Sequence, residues 1–468
     1  MFIGRQRELS EMQRRYKREG FECIVLYGRR RVGKTALIRE FCRDKKTIFF
    51  TGLETTAKEN LEYFSQSVYD MQGGRGKAPV YPDFSTLLAA VTDLARKEKI
   101  VLVIDEYPYL AKSYEGISSL LQREIDHVWR NLNLYVILCG SSMSFMEKQV
   151  LGHRSPLFGR RSAQIKLEPF TIFETRAYFP TMDAEDLALL YGVTGGIPFY
   201  LAQMDADAGI RDNLTRNFFD PMGYLFEEPS NLLKQELREP AIYNAVLQAV
   251  ADGKTKLSQI AVSVGIETGA CSGYLKNLIS LGIVERETPI GEKQSKKSIY
   301  QLSDTMFRFW YRFIPQYYSM IQNGMGEIAC RHIEPYLPDF MGHIFEKICL
   351  QWLWRENKKG NLPIFFEEAG RWWGNDPRRK AQTEIDILAR NADREMLFCE
   401  CKWRNEALDG DIFDLLIERS ELFSAKNKQY ILFSKRGFSD RCRRKAEKQG
   451  NVRLVGYPEI LQPQMYAH

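Results

Sequence analysis

The chain has 468 residues, 44% hydrophobic and 12% aromatic, which is enough apolar matter for about three packed domains and excludes a disordered chain. Its formal net charge of +6 permits contact with nucleic acid without demanding it, because acids balance bases over most of the length. Nine scattered cysteines with no CxxC pair exclude a zinc ribbon and argue against a disulfide framework, and no apolar run approaches the ~20 residues of a membrane span, so a reducing cytoplasm is the expected home.

The opening "MFIGRQREL" turns charged at once and carries no apolar signal core. An apolar strand, Cys23–Tyr27, then runs into Gly28, Arg29, Arg30, Arg31, Val32, Gly33, Lys34 and Thr35, and an amphipathic helix opens at Ala36. Strand, glycine-framed loop and helix are the context a phosphate-binding loop requires. Its glycines let backbone N–H groups curl around an anion, and the helix N-terminus adds a favourable dipole. Lys34 reaches toward β and γ phosphates, and the Thr35 hydroxyl is suited to magnesium.

A second strand, Val101–Ile104, delivers Asp105 and Glu106 at its carboxyl end, where α/β sheets bind ligands. Asp105 is expected to hold magnesium through its waters, and Glu106 to polarise an attacking water. A third strand, "LYVILCGSS", places Ser141 and Ser142 near the γ-phosphate or the water. Arg154, Arg160 and Arg161 follow, and one of them, with Arg160 the choice, is expected to meet phosphate charge unless the group is a surface cluster.

These segments resemble a known lineage. "FIGRQREL" at 2–9 is similar to the opening of AAA+-like ATPases, where it packs near adenine. With "GRRRVGKT", "VLVIDEYPYL", "SPLFGRR" and "GVTGGIPFYL", it resembles the archaeal-type ATPases of the STAND superfamily, nucleotide-driven switches. The resemblance implies ATP and Mg2+ as cofactors. It also implies a conformational sensor at Gly195, Gly196 and Pro198, which a plain turn between helices would equally explain.

Residues 240–302 read as three short helices and a hairpin, the order of a winged helix-turn-helix. Lys276 and Asn277 on the third helix, and Lys293, Lys296 and Lys297 on the wing, are the candidates for DNA contact. The alternative is a module packed within the chain. The aromatic run "DTMFRFWYRFI" at helical spacing reads as core.

The last region gives a helix carrying Glu346, then the strands "EIDILA" and "FCECKW" joined by the turn "RNADR". A turn centred near Asp393 sets Asp386 opposite Glu400, and strand period two puts Lys402 on the same face. Cys399 and Cys401 then point the other way, into core. Two carboxylates, the Cys401 carbonyl and Glu346 as a further acid suit metal-assisted phosphodiester cleavage, with Lys402 balancing charge. The arrangement resembles the PD-(D/E)xK restriction-endonuclease-like fold. The alternative is a salt-bridged hairpin that does not cut.

The expected fold is α/β: a P-loop NTPase parallel sheet (1–172), a helical lid (173–235), a winged helix-turn-helix (236–310), a helical connector (311–335) and a restriction-endonuclease-like α/β domain (336–468). The expected activity is an ATP-hydrolysing switch with a metal-dependent nuclease domain acting on DNA. The alternative is a regulatory or signalling ATPase with a non-cleaving domain. DNA, a further copy of the chain and a protein bound through the winged helix are the expected partners, and no membrane.

Overall fold

The computed structural model describes residues 2–292 and 297–462. Lys293 and Lys296 lie outside the described residues. The chain divides into two compact units, Met1–Pro169 with Ile197–Phe199, and Phe170–Gly196 with Tyr200–His468.

The first unit is built on five parallel strands: β1 (Glu22–Tyr27), β2 (Thr47–Thr51), β3 (Ile100–Asp105), β4 (Leu134–Gly140) and β5 (Ala163–Lys166). Their order is β2-β3-β4-β1-β5. β1, β3 and β4 are buried along their whole length and apolar apart from Glu22 opening β1 and Asp105 closing β3, as a parallel sheet covered by helices on both faces requires. Alternation divides them between two cores. Val25 packs with Phe64, Leu88 and Trp129 on one face, and Ile24 and Leu26 pack with Leu37, Phe41 and Tyr135 on the other. Because β4 lies between β1 and β3, the loop after β1 and the acids after β3 flank the end of β4.

In the second unit, the helix Ile172–Tyr178 starts at a Thr171–Glu174 capping box, and Ala184–Thr194 stops at Gly195, whose φ of 63° is one that glycine adopts without strain. Three helices follow, Pro240–Ala251, Leu257–Val264 and Thr268–Ser280, and then an antiparallel ribbon of β6 (Val284–Glu287) and β7 (Ile299–Leu302). Cys271, Leu275 and Leu278 form the buried stripe of the third helix. The aromatic run lies in one helix, Thr305–Gln322, with Phe307, Phe309, Trp310, Tyr311 and Phe313 all buried. That helix runs straight across the expected boundary at 310/311, because its apolar stripe does not pause there.

The remaining strands are β8 (Glu368–Asp376), β9 (Ala381–Arg390), β10 (Glu395–Lys402), β11 (Asn427–Ser434) and β12 (Val452–Gly456), in the order β12-β11-β10-β9-β8. β9 runs antiparallel to both neighbours, whereas β10, β11 and β12 are mutually parallel. The β9–β10 turn closes through Arg394 in the left-handed region at φ 62°. Pairing runs from Met396↔Arg390 to Cys399↔Ile387 and stops there, while the β8–β9 register shifts between Gly370↔Leu388 and Trp372↔Ile385, so Asp386 sits at an irregular point of β9 and meets β10 through the Cys401 N–H. Among the described residues no helix is long and apolar enough to cross a membrane.

Candidate functional site

Left-handed or positive-φ backbone shapes the loop after β1: Gly28 at 157°, Arg31 at 71° and Gly33 at 90°. A Cβ on Gly28 would lie 2.4 Å from the Leu167 carbonyl oxygen, so only glycine lets the loop leave the sheet there. Arg5 is buried and donates from Nη2 to the Val32 carbonyl at 3.0 Å, tying the opening segment to the loop. The segment Ile197–Phe199 meets the loop as well. Phe199 donates its N–H to the Arg31 carbonyl at 3.4 Å and holds its ring 5.0 Å from the Arg31 guanidinium. A Cβ on Gly33 would lie 3.8 Å from Pro198.

Lys34 is buried and donates from Nζ to the Gly28 and Arg29 carbonyls, both at 2.9 Å. Burial presses its ammonium below the usual lysine value, and the nearby Glu106 and Asp105 oppose that. Thr35 donates its hydroxyl to Asp105 Oδ2 at 2.9 Å, and Asp105 Oδ1 accepts the Glu106 N–H at 3.0 Å. Glu106 sits at φ 47°, a strained conformation for a non-glycine residue. Its Oε2 accepts the Ser141 N–H at 3.2 Å and the Ser141 hydroxyl at 2.9 Å. These residues fit a nucleotide with a hard divalent cation: a curled loop, an ammonium resting on loop carbonyls, and a hydroxyl–carboxylate pair of oxygen donors.

Ser141 therefore positions Glu106 in this structure. Arg160 does not join the loop's hydrogen bonds. Its fork clasps Asp126, with Nε at 3.0 Å from both carboxylate oxygens and Nη2 at 2.6 Å from Oδ2. That bidentate pair accounts for its position in this structure.

The second cluster lies on β9 and β10. Asp386 and Glu400 are buried, at 7% and 4% exposure. Asp386 Oδ2 accepts the Cys401 N–H at 2.8 Å and lies 3.4 Å from Lys402 Nζ. Lys402 Nζ reaches Glu400 Oε1 at 2.6 Å, and Arg419 Nη1 stands 3.3 Å from Glu400 Oε2. Burial pushes both carboxyl groups above the usual range. For Glu400 the Asp386 charge adds to burial, and Lys402 opposes it for both. Burial alone would lower Lys402, but the two carboxylates hold it above the usual lysine value.

Glu346 takes a different place. Its Oε2 is 3.4 Å from His343 Nδ1, and burial holds that imidazole well below its usual value and therefore neutral. The Glu346 charge still bears on Asp386, whose carboxyl it helps to raise, although among the described residues no trio of His, Cys, Asp or Glu is grouped to hold a metal. Cys401 meets Asp386 through its N–H. Cys399 and Cys401 are buried free thiols. Lys276 is exposed, whereas Asn277 donates to the Tyr243 hydroxyl at 2.6 Å and Lys297 pairs with Glu292 at 2.8 Å.

Comparison with known proteins agrees with the first cluster. A family model described as an ATPase domain predominantly from Archaea matches residues 2–204. Over 412 residues the chain is 33% identical to the uncharacterized protein MJECL04 of Methanocaldococcus jannaschii, covering 86% of this chain and 88% of that one. The chain belongs to the archaeal-type P-loop ATPases.

A second family model, described as Archaea bacterial proteins of unknown function, matches residues 310–412 of this archaeal-type ATPase. The uncharacterized ATP-binding protein MJ0423 of the same organism is 48% identical over 46 residues, 10% of this chain and 78% of that one. Among solved structures, the ORC2 protein of Aeropyrum pernix in ADPNP–ADP complexes aligns with TM-score 0.42 at 14% identity, over 69% of this chain and 95% of that one. The STAND protein PH0952 of Pyrococcus horikoshii, with a tetratricopeptide repeat sensor, aligns with TM-score 0.29 at 17% identity, over 77% of this chain and 50% of that one.

In this ATPase, sequence reasoning missed three contributors. Arg5 and Phe199 belong to quoted segments, but nothing local shows that they close on the loop. Arg419 lies in the helix Gly410–Ser420, where an arginine near the C-terminus reads as a helix-end charge.

Proposed function

We propose that the protein is an ATP-hydrolysing switch that acts on DNA and carries a metal-dependent phosphodiester-cleaving site in its C-terminal sheet. Lys34 and the loop amides would hold the phosphates, and Thr35 and Asp105 the magnesium, whose charge would offset that of the phosphates. Glu106, aimed by Ser141, orients and deprotonates the attacking water. The convergence of Asp386, Glu400 and Lys402 in one ion-pair cluster across β9 and β10 carries the cleavage reading. Two carboxylates are a common protein share of a Mg2+ site, with water and substrate oxygens supplying the rest. The three helices and ribbon support a winged helix-turn-helix, with exposed Lys276 and the Glu292-paired Lys297 as candidates for phosphate contact.

The test is cleavage of DNA in Mg2+ or Mn2+, with Asp386→Ala as the control. Loss of cutting in the variant supports the enzyme. Absence of cutting by the wild type with either metal, with DNA still bound, refutes it. For the ATPase, Lys34→Ala is expected to abolish nucleotide binding, and unchanged turnover in that variant would overturn the assignment. One observation favours the second reading, a regulatory ATPase that does not cut: Arg419 already engages Glu400, as in a closed salt-bridge network.

A further inference from the structure

A cleft of about 650 Å³ opens in the second unit between the β8–β9 hairpin and the ribbon β6–β7. Its lining is rich in cations held by partners: Lys297 pairs with Glu292, Arg371 with Glu384 and Arg419 with Glu400, while Lys256 donates to the Lys297 and Ser298 carbonyls. The side groups Arg371 Nε and Arg419 Nε are both buried without a hydrogen-bond partner. Such donors cost free energy unless an acceptor arrives, and each belongs to a guanidinium already oriented by a carboxylate, Glu384 for Arg371 and Glu400 for Arg419.

One wall carries a half-buried indole. Trp373 donates from Nε1 to the Lys297 carbonyl at 3.2 Å, which fixes the ring, and the Arg371 guanidinium lies 5.9 Å from its centroid. A held aromatic face beside several cations is the composition of a site for stacked bases on a phosphate chain. The cleft borders the carboxylate cluster, none of whose three residues lines it. Gln382, Glu384 and Asp386 are successive same-face positions on β9, the first two lining the cleft, and Arg419 lines it while touching Glu400.

We propose that this cleft binds a single-stranded polynucleotide and presents its backbone to Asp386, Glu400 and Lys402. The inference rests on the phosphodiester reading of that cluster and names its substrate class. The volume is within the ~300–1,000 Å³ range of a small-ligand pocket, which suits one or two nucleotides and not a duplex. Cations plus a stacking ring do not distinguish deoxyribose from ribose, so DNA and RNA are separate arms of the test.

The experiment uses the full chain with divalent metal chelated, so that binding is read without cutting. Fluorescence anisotropy follows labelled single-stranded DNA and RNA oligonucleotides, with the matching duplex and poly-glutamate as competitors. Trp373→Ala is expected to weaken binding of at least one single strand about tenfold, and Trp373→Phe less than about threefold. Lys297→Gln is expected to shallow the salt dependence by about 0.7 in log–log slope, as loss of one phosphate contact predicts. The Phe and Gln variants, with melting curves, keep the result independent of misfolding. No binding of either strand, variants that bind as wild type, or competition by duplex or poly-glutamate equal to that of the strand would each overturn the proposal. Binding lost in the variants, but no cutting by the wild type in Mg2+ or Mn2+, would leave the cleft standing and sink the nuclease reading. Cutting that persists with binding indifferent to Trp373 and Lys297 would do the reverse.

Discussion

Replacing Thr35 with valine isolates one bond in the nucleotide site. The hydroxyl donates to Asp105 Oδ2 at 2.9 Å, and Asp105 is only 3% exposed, so water cannot take the hydroxyl's place. A hydrogen bond to a buried carboxylate contributes about 1.5–3 kcal/mol. At ~2–4 °C per kcal/mol for a domain of this size, Thr35→Val should lower the melting temperature of the first unit by about 3–12 °C. Thr35→Ser keeps the donor and should melt within about 2 °C of the wild type. Scanning fluorimetry without nucleotide reads both, so the loss appears before any effect on ATP. A Val variant that melts with the wild type, or a Ser variant that falls as far as Val, would refute the assignment of that bond.

Glu106→Gln should retain ATP but lose roughly 10²–10⁴-fold in turnover, as removal of a general base does; Ser141→Ala should cost far less, because its N–H still reaches Oε2 at 3.2 Å. Burial pushes the Glu287 carboxyl up to about 7, against Arg371 and with Glu285 adding to the rise. A raised carboxyl contributes stability that is full below the ordinary value near 4.5 and lost as pH climbs through 7. Glu287→Gln should therefore gain about 1–3 kcal/mol over the wild type at pH 8 and nothing at pH 4, measured by urea unfolding. Lys402→Met strands two buried carboxylates with Arg419 as their remaining cation among the ion pairs described. It should destabilise the protein by about 3–5 kcal/mol at neutral pH, with the deficit shrinking as acid protonates Asp386 and Glu400.

Much of the nucleotide site is legible in the sequence because its determinants are local. Gly28, Gly33, Lys34 and Thr35 stand at fixed spacing between a strand and a helix, and backbone curvature needs little else. Asp386 and Glu400 are readable as neighbours for a related reason: a short polar turn between two apolar strands keeps their far ends close even when its centre is uncertain by a residue. What escaped depends on long-range closure. Ser141 follows its strand as expected, but that its hydroxyl turns to Glu106 depends on β4 lying next to β3. Arg160 looks like a phosphate sensor from its neighbours, and only folding reveals Asp126 beside it. Glu346 and His343 share a helix turn with ordinary spacing, and burial together with the charges of Lys347, Arg308 and Arg371 keeps the imidazole neutral.

The excursion of the chain out of the first unit at Pro169 and back at Ile197–Phe199 also constrains the order in which the protein can mature on the ribosome. The Arg31 carbonyl waits for the Phe199 N–H, so the nucleotide loop lacks one of its supports until Phe199 has been translated. At ~5–20 residues per second that interval lasts roughly 2–6 s after Pro169 is made. A fragment cut at residue 169 keeps every strand of the first sheet and still loses this brace, whereas one ending beyond Phe199 retains it. Design of a minimal nucleotide-binding fragment is therefore set by three residues that rejoin the first unit late.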